Sequence, residues 1–227
     1  MFQFNKTLNP KLWNSNKTLK LEVRLKLLEA TLLFYKSLDV KITLVDVQIT
    51  GSNASYTYTN KSDIDIHLIT NFKKLPCEDA YNELFLAKKK IWSETHNIKI
   101  KGYEIEFYVE NELNPVKSNG VFSLLKNKWL HFPNKEKPKF DDNAVQIKTK
   151  YLINKSNELI KNKNFNEIEK FLNKLKSMRS HGLESKGEFS TENLAFKNLR
   201  ALGYIDKLKE IKNLSIDKTL SLESKWI

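Results

Sequence analysis

"GSNASYTYTNKSDIDIHLIT", residues 51–70, is the stretch on which the reading of this chain turns. It follows "KITLVDVQIT" (41–50), a β-branched run that reads as a strand stopping at the Gly51-Ser52 turn. Ten polar, hydroxyl-rich residues come next, and then "SDIDIHLIT" alternates. Ile64, Ile66 and Leu68 fall on one face, with Asp63, Asp65 and His67 on the other, the period of a half-buried strand. Two carboxylates two residues apart on a strand project from the same face, roughly 7 Å apart at the backbone. At that spacing they repel, and one takes a proton unless a cation lies between them. Mg²⁺ favours carboxylate oxygens together with substrate phosphates, so the pair points to a divalent ion. Charges that keep an exposed strand edge soluble are the structural alternative.

A third acid is available downstream. "NIKIKGYEIEFYVE" reads as a hairpin turning at Lys101-Gly102. In its second arm Tyr103, Ile105, Phe107 and Val109 share one face, and Glu104, Glu106 and Tyr108 the other. Glu106, mid-strand between apolar residues, is preferred to Glu104, which lies beside the turn. Three acids can cage two ions, and two ions about 4 Å apart can activate a hydroxyl and stabilise leaving pyrophosphate. The Gly51-Ser52 turn fits the same picture, since a glycine after a strand lets backbone N–H groups face a phosphate. A helix starting there would add favourable partial charge.

Taken together, "ITGSNASYTYTNKSDIDIHLI" and "YEIEFYV" resemble the nucleotidyltransferase superfamily of the DNA polymerase beta type. The resemblance covers residues 42–110 and is silent on the C-terminal half. It implies transfer of a nucleoside monophosphate from a nucleoside triphosphate to a hydroxyl, with pyrophosphate leaving. Gly51 and Ser52 would hold the β- and γ-phosphates, and Asp63 and Asp65 would bind both of two Mg²⁺ or Mn²⁺ ions. Glu106 would complete the catalytic-metal site and help deprotonate the acceptor. Glu stands here where Asp is common in that family. Asn53, with Ala54 and Ser55 behind it, is a further phosphate-binding candidate, and Lys126 and Lys128 are candidates for phosphate or acceptor contacts.

Around this centre the chain alternates helices and strands. Leu21, Leu25, Leu28, Leu32 and Tyr35 give the apolar spacing of a helix over 18–38, and residues 78–96 form a second helix. "NGVFSLLKNKWLHFP" (119–133) is a mixed aromatic segment after Pro115. "NKEKPKFDDN" reads as a charged linker with a helix start at Asp141–Asn143. Helices are expected over 143–163, 166–180, 191–202 and 204–213. Asn166 and Ser190 stand at N-caps, and Gly182, Gly187 and Gly203 at the connections. The expected architecture is α+β, a small mixed β-sheet flanked by helices, with a catalytic core over 1–133 and a basic helical region over 134–227.

The net charge is +12 over 227 residues. Residues 1–113 hold 16 Lys+Arg against 14 Asp+Glu, while residues 114–227 hold 23 against 13, so the excess lies in the C-terminal half. That asymmetry suits a polyanionic partner. A solvated surface from Lys- and Asn-rich coding explains it as well, and charge alone does not choose. An RNA acceptor, such as a tRNA end, is the leading expectation. A protein, antibiotic or nucleotide acceptor on the same fold is the alternative, as is a silent nucleotide- or RNA-binding module.

One cysteine, Cys77, excludes an internal disulfide framework and reads as an inert thiol. No apolar run of about 18 residues and no secretory signal pattern occur, so a cytoplasmic, reducing setting is expected. His67 reads as structural, the lysine run 88–90 as the outer face of a helix, and Phe122, Trp129 and Phe132 as core. Arg179 and Arg200 could grip phosphate or pair with a neighbouring Glu.

Overall fold

The computed structural model describes residues 4–114, 118–136 and 139–221. Pro115, Lys137, Pro138, the first three residues and all but Ser221 of "SLESKWI" lie outside the described residues. The chain is α+β and divides into two compact units, ending and beginning at Glu136 and Lys137.

The first unit carries a six-stranded mixed sheet and two long helices. In chain order these are α1 (Leu21–Ser37), β1 (Leu44–Thr50), β2 (Ile64–Thr70), α2 (Glu78–Thr95), β3 (Lys99–Ile100), β4 (Tyr103–Asn111), β5 (Val121–Ser123) and β6 (Lys128–His131). The strands lie in the order β3-β4-β2-β1-β5-β6. β2 pairs antiparallel with β1, placing Thr50 opposite Asp65, and parallel with β4, placing Asp65 opposite Glu106. Parallel neighbours need a long crossover, and α2 supplies it.

The hairpin turn forms at Lys101-Gly102, both with positive φ (53° and 88°), the geometry that suits the twist of a two-residue connection. β5 and β6 were not legible as strands, being only three and four residues long. Their aromatics build a cluster in which Trp129 stacks on Trp13 (4.5 Å) and meets Phe122 and Phe132 edge-on. Phe122 is core, whereas Phe132 is 39% exposed.

The core of this unit includes Ile64, Ile66, Leu68 and Phe107 from the sheet and Leu27, Phe34, Phe85 and Trp92 from the helices. Phe34 stacks on Phe107 at 4.6 Å, and Trp92 meets both rings edge-on. The buried stripe of α1 is Val23, Leu27, Ala30, Thr31 and Phe34; of the expected stripe only Leu28 and Tyr35 pack against the core, both partly buried. Leu21, Leu25 and Leu32 are more than half exposed. Both stripes have helical spacing, and packing rather than periodicity selects between them.

The second unit is helical: α3 (Asp142–Asn162), α4 (Phe165–Lys186), α5 (Thr191–Ala201) and α6 (Tyr204–Leu220). Leu152, Leu159, Ile168, Phe171, Leu175, Leu199 and Leu208 form its core. Asp141 and Ser190 cap α3 and α5 as expected. Two expectations are corrected. Asn164 rather than Asn166 caps α4, accepting from the backbone N–H of Glu167. Gly182 lies inside α4, where a Cβ would fall 2.6 Å from Glu192 Cβ and 2.7 Å from Ser190 Oγ. It permits a close helix contact instead of ending the helix. Arg179 lies over the Phe196 ring and bonds Asn193 Oδ1. Among the described residues no helix is long and apolar enough to cross a membrane.

Candidate active site

Asp63, Asp65 and Glu106 converge. Each presents a carboxylate oxygen such that all three lie within 4.8 Å of one another, and all are half-buried. Backbone register explains the convergence. Asp65 and Glu106 are paired across parallel strands, and Asp63 stands two residues before Asp65, just ahead of β2. Glu104 falls away from the group, paired instead with Lys99 at 3.1 Å on the β3–β4 hairpin.

Gly51 is built against the same carboxylates. Its φ is +71°, and a Cβ added there would lie 1.9 Å from Asp65 Oδ2. Only glycine satisfies both the backbone and the contact. Gly120, beside β5, also lies close against this loop, since a Cβ there would meet the Ala54 carbonyl oxygen at 1.9 Å. Ser118 Oγ accepts from the Gly51 N–H at 3.2 Å.

The hydroxyl-rich stretch proves to be internal bracing. Ser52 Oγ donates to Ser62 Oγ (2.8 Å), which accepts from the Thr59 N–H (2.9 Å). Ser55 is buried and bonds Thr57. Asn53, an expected phosphate contact, is fully buried and its side chain is engaged within the protein. Its Nδ2 donates to the Asp63 carbonyl (2.7 Å), its Oδ1 accepts from Asn9 Nδ2 (2.7 Å), and its carbonyl accepts from Trp13 Nε1 (2.8 Å). Asn53 therefore ties the Gly51-Ser52 turn to the first acid. Ser52–Ala54 form a single 3₁₀ turn, too short to supply a helix dipole, and the rest of the spacer up to Asp63 is loop.

Lys126 and Lys128 are not at the cluster. Both are exposed in or beside the β5–β6 turn. The register Gln48↔Ser123↔Lys128 places them toward the opposite end of the strands from Thr50 and Asp65.

The residue missed from the sequence is Lys89. The lysine run does not simply face outward. Lys88 bonds the Ser37 carbonyl and Asp39, while Lys89 Nζ lies 2.7 Å from Glu106 Oε1 and 3.3 Å from the centroid of the Tyr108 ring. Lys90 alone of the three has a largely exposed side chain, at 77%. A period-3.6 count from the buried Phe85 and Trp92 puts position 89 on the flank of the buried face, a signal within reach of the sequence.

Burial pushes the Glu106 carboxyl up, but the Lys89 ammonium and hydrogen bonds with Tyr108 and Asp63 outweigh it. The net effect holds Glu106 below the ordinary carboxylate range. Burial and the charges of Asp65 and Glu106 push the Tyr108 hydroxyl far upward, so it stays neutral and hydrogen-bonds Glu106.

His67 is structural. It is buried, stacks on Tyr108 at 4.6 Å and bonds Thr50 Oγ1 at 2.8 Å. Its Nδ1 lies 2.8 Å from Glu110 Oε1.

A cleft of about 540 Å³ opens on the cluster, lined by Asp63 and Glu106 together with Ser93, His96, Asn97 and Glu104. Comparison with protein-family models, with curated proteins and with solved structures gave no match to this chain.

Proposed function

We propose that the protein is a metal-dependent nucleotidyltransferase on a polymerase-beta-type core, moving a nucleoside monophosphate from a nucleoside triphosphate to a hydroxyl acceptor. One observation carries this reading: Asp63, Asp65 and Glu106 converge beside the Gly51 turn, with Asp65 packed against Gly51 itself. The donor set fits Mg²⁺ or Mn²⁺, being three hard carboxylates with no nitrogen or sulfur ligand among them. When bound, such ions supply charge neutralisation of the triphosphate and stabilisation of the leaving pyrophosphate.

The chain's own groups account for the rest. Asp63, Asp65 and Glu106 would hold the ions, and the Gly51-Ser52 turn would receive the β- and γ-phosphates. In the transfer the acceptor oxygen bonds the α-phosphorus while the bond to the β-phosphate breaks. Glu106 would take the acceptor's proton. As a carboxylate it would hand that proton on to water.

RNA remains the proposed acceptor, supported by the basic C-terminal half. The test is pyrophosphate release from each of the four ribonucleoside triphosphates with Mg²⁺ or Mn²⁺, in the presence of RNA, of total protein or of no acceptor. Release by the wild type and its loss in the D63N/D65N double variant are expected. Release that survives the double substitution removes the site assignment. RNA affinity should fall steeply with salt, and a flat response would point to a protein or small-molecule acceptor.

A further inference from the structure

The carboxylate cluster already takes one cation, and the chain itself supplies it. Lys89 projects from α2, the crossover joining the two acid-bearing strands, and its side chain is only 19% exposed. An ammonium gives up that much hydration when a carboxylate and a ring face replace it, here Glu106 and Tyr108. Lys88 secures the helix by bonding the Ser37 carbonyl and Asp39, so a movement of Lys89 needs no movement of α2.

Building on the nucleotidyltransferase reading, we propose that Lys89 is a resident counter-cation. It competes with divalent metal for Glu106 and thereby sets the metal affinity of the free site. The ammonium and a divalent ion cannot share Glu106 Oε1, because like charges at contact distance repel strongly. Metal loading therefore requires Lys89 to withdraw, and its flexible four-carbon stem allows this. Lys89 is a positioning residue: it touches the third acid, not the reacting atoms.

The experiment is Mn²⁺ binding to the full chain without nucleotide, followed by the electron paramagnetic resonance of free Mn²⁺. Wild type, K89M, K89R and D63N/D65N are compared, with K89Q in reserve if K89M does not fold by circular dichroism. Removal of the ammonium should tighten binding by about tenfold, while K89R, which keeps the charge, should stay within about twofold of wild type. D63N/D65N should lose binding. A K89M affinity equal to or weaker than wild type, with D63N/D65N still abolishing binding, overturns the role of Lys89 and leaves the metal reading intact. Equal tightening in K89R and K89M also overturns it, because charge would not be the cause. If neither wild type nor K89M binds Mn²⁺, the metal reading fails and this proposal falls with it.

Discussion

At Gly51 a single hydrogen is what the site allows. A methyl in its place would sit 1.9 Å from Asp65 Oδ2, on a backbone with φ of +71°. Left-handed backbone strains an alanine by about 1–2 kcal/mol, and the collision adds to that by displacing the carboxylate. G51A should therefore lose about 2 kcal/mol or more in urea unfolding and should also weaken Mn²⁺ binding. A variant that lost stability but kept full metal affinity would separate the turn from the acids.

Lys89 and Glu106 give a second prediction at this scale. The folded-state pKa of Glu106 is held below the ordinary value of 4.5, so its ionised form stabilises the fold above that pH. That contribution is lost as the pH falls through the lowered value. K89M removes the main opponent of burial, so the variant's Glu106 should protonate at higher pH. The stability gap between wild type and K89M is expected to be widest near neutral pH and to narrow as Glu106 protonates on acidification. Urea midpoints measured from pH 7 to pH 3 test this, and a constant gap would mean that Lys89 contributes packing alone.

Among the elements, α4 and α5 meet through Gly182. Alanine is the better helix former by about 1 kcal/mol, which favours G182A. Against this, the new Cβ would press on Glu192 Cβ at 2.6 Å and on Ser190 Oγ, the cap of α5. Overpacking of this kind costs about 1–3 kcal/mol, and here it also disturbs a cap, so destabilisation should win. Chemical denaturation of G182A decides the sign. The glycine was visible in the sequence, but its service was not, because only the neighbouring helix distinguishes a break from a close approach.

The same distinction runs through the other elements. The Gly-Ser turn, the alternation around Asp63 and Asp65, and the hairpin at Lys101-Gly102 are local patterns, and local patterns are legible. The α1 stripe is not local, since leucines at two helical spacings offer two faces and the core picks one. Asn53 looked like a ligand group because amides and hydroxyls bind phosphate and brace loops equally well. Its burial depends on Asn9 and Trp13, which lie far from it in sequence. Lys89 was hidden in a run of three similar residues whose fates differ by about 100° of helix rotation each.

For the whole molecule, two units with separate cores imply two unfolding events. Trp13, Trp92 and Trp129 all lie in the first unit, while every regular element among the described residues of the second is a helix. The remaining tryptophan, Trp226, is removed by the substitution Trp226→Phe. In that background, tryptophan fluorescence should report the first unit and far-ultraviolet circular dichroism should weight the second. Non-coincident urea transitions are expected, and superimposable curves would mean that the two cores melt as one. The division of charge bears on partners at this scale, as net charge governs association and solubility but not fold.

The parallel pairing of β2 with β4 has a consequence for biosynthesis. The crossover helix leaves the ribosome after the first two acids and before the last, so Lys89 is translated ahead of Glu106. A domain folds as a unit, so the first unit completes its sheet only once β4 has followed α2 out. The third carboxylate and its counter-cation are thus brought together late, when β4 closes the sheet beside β2.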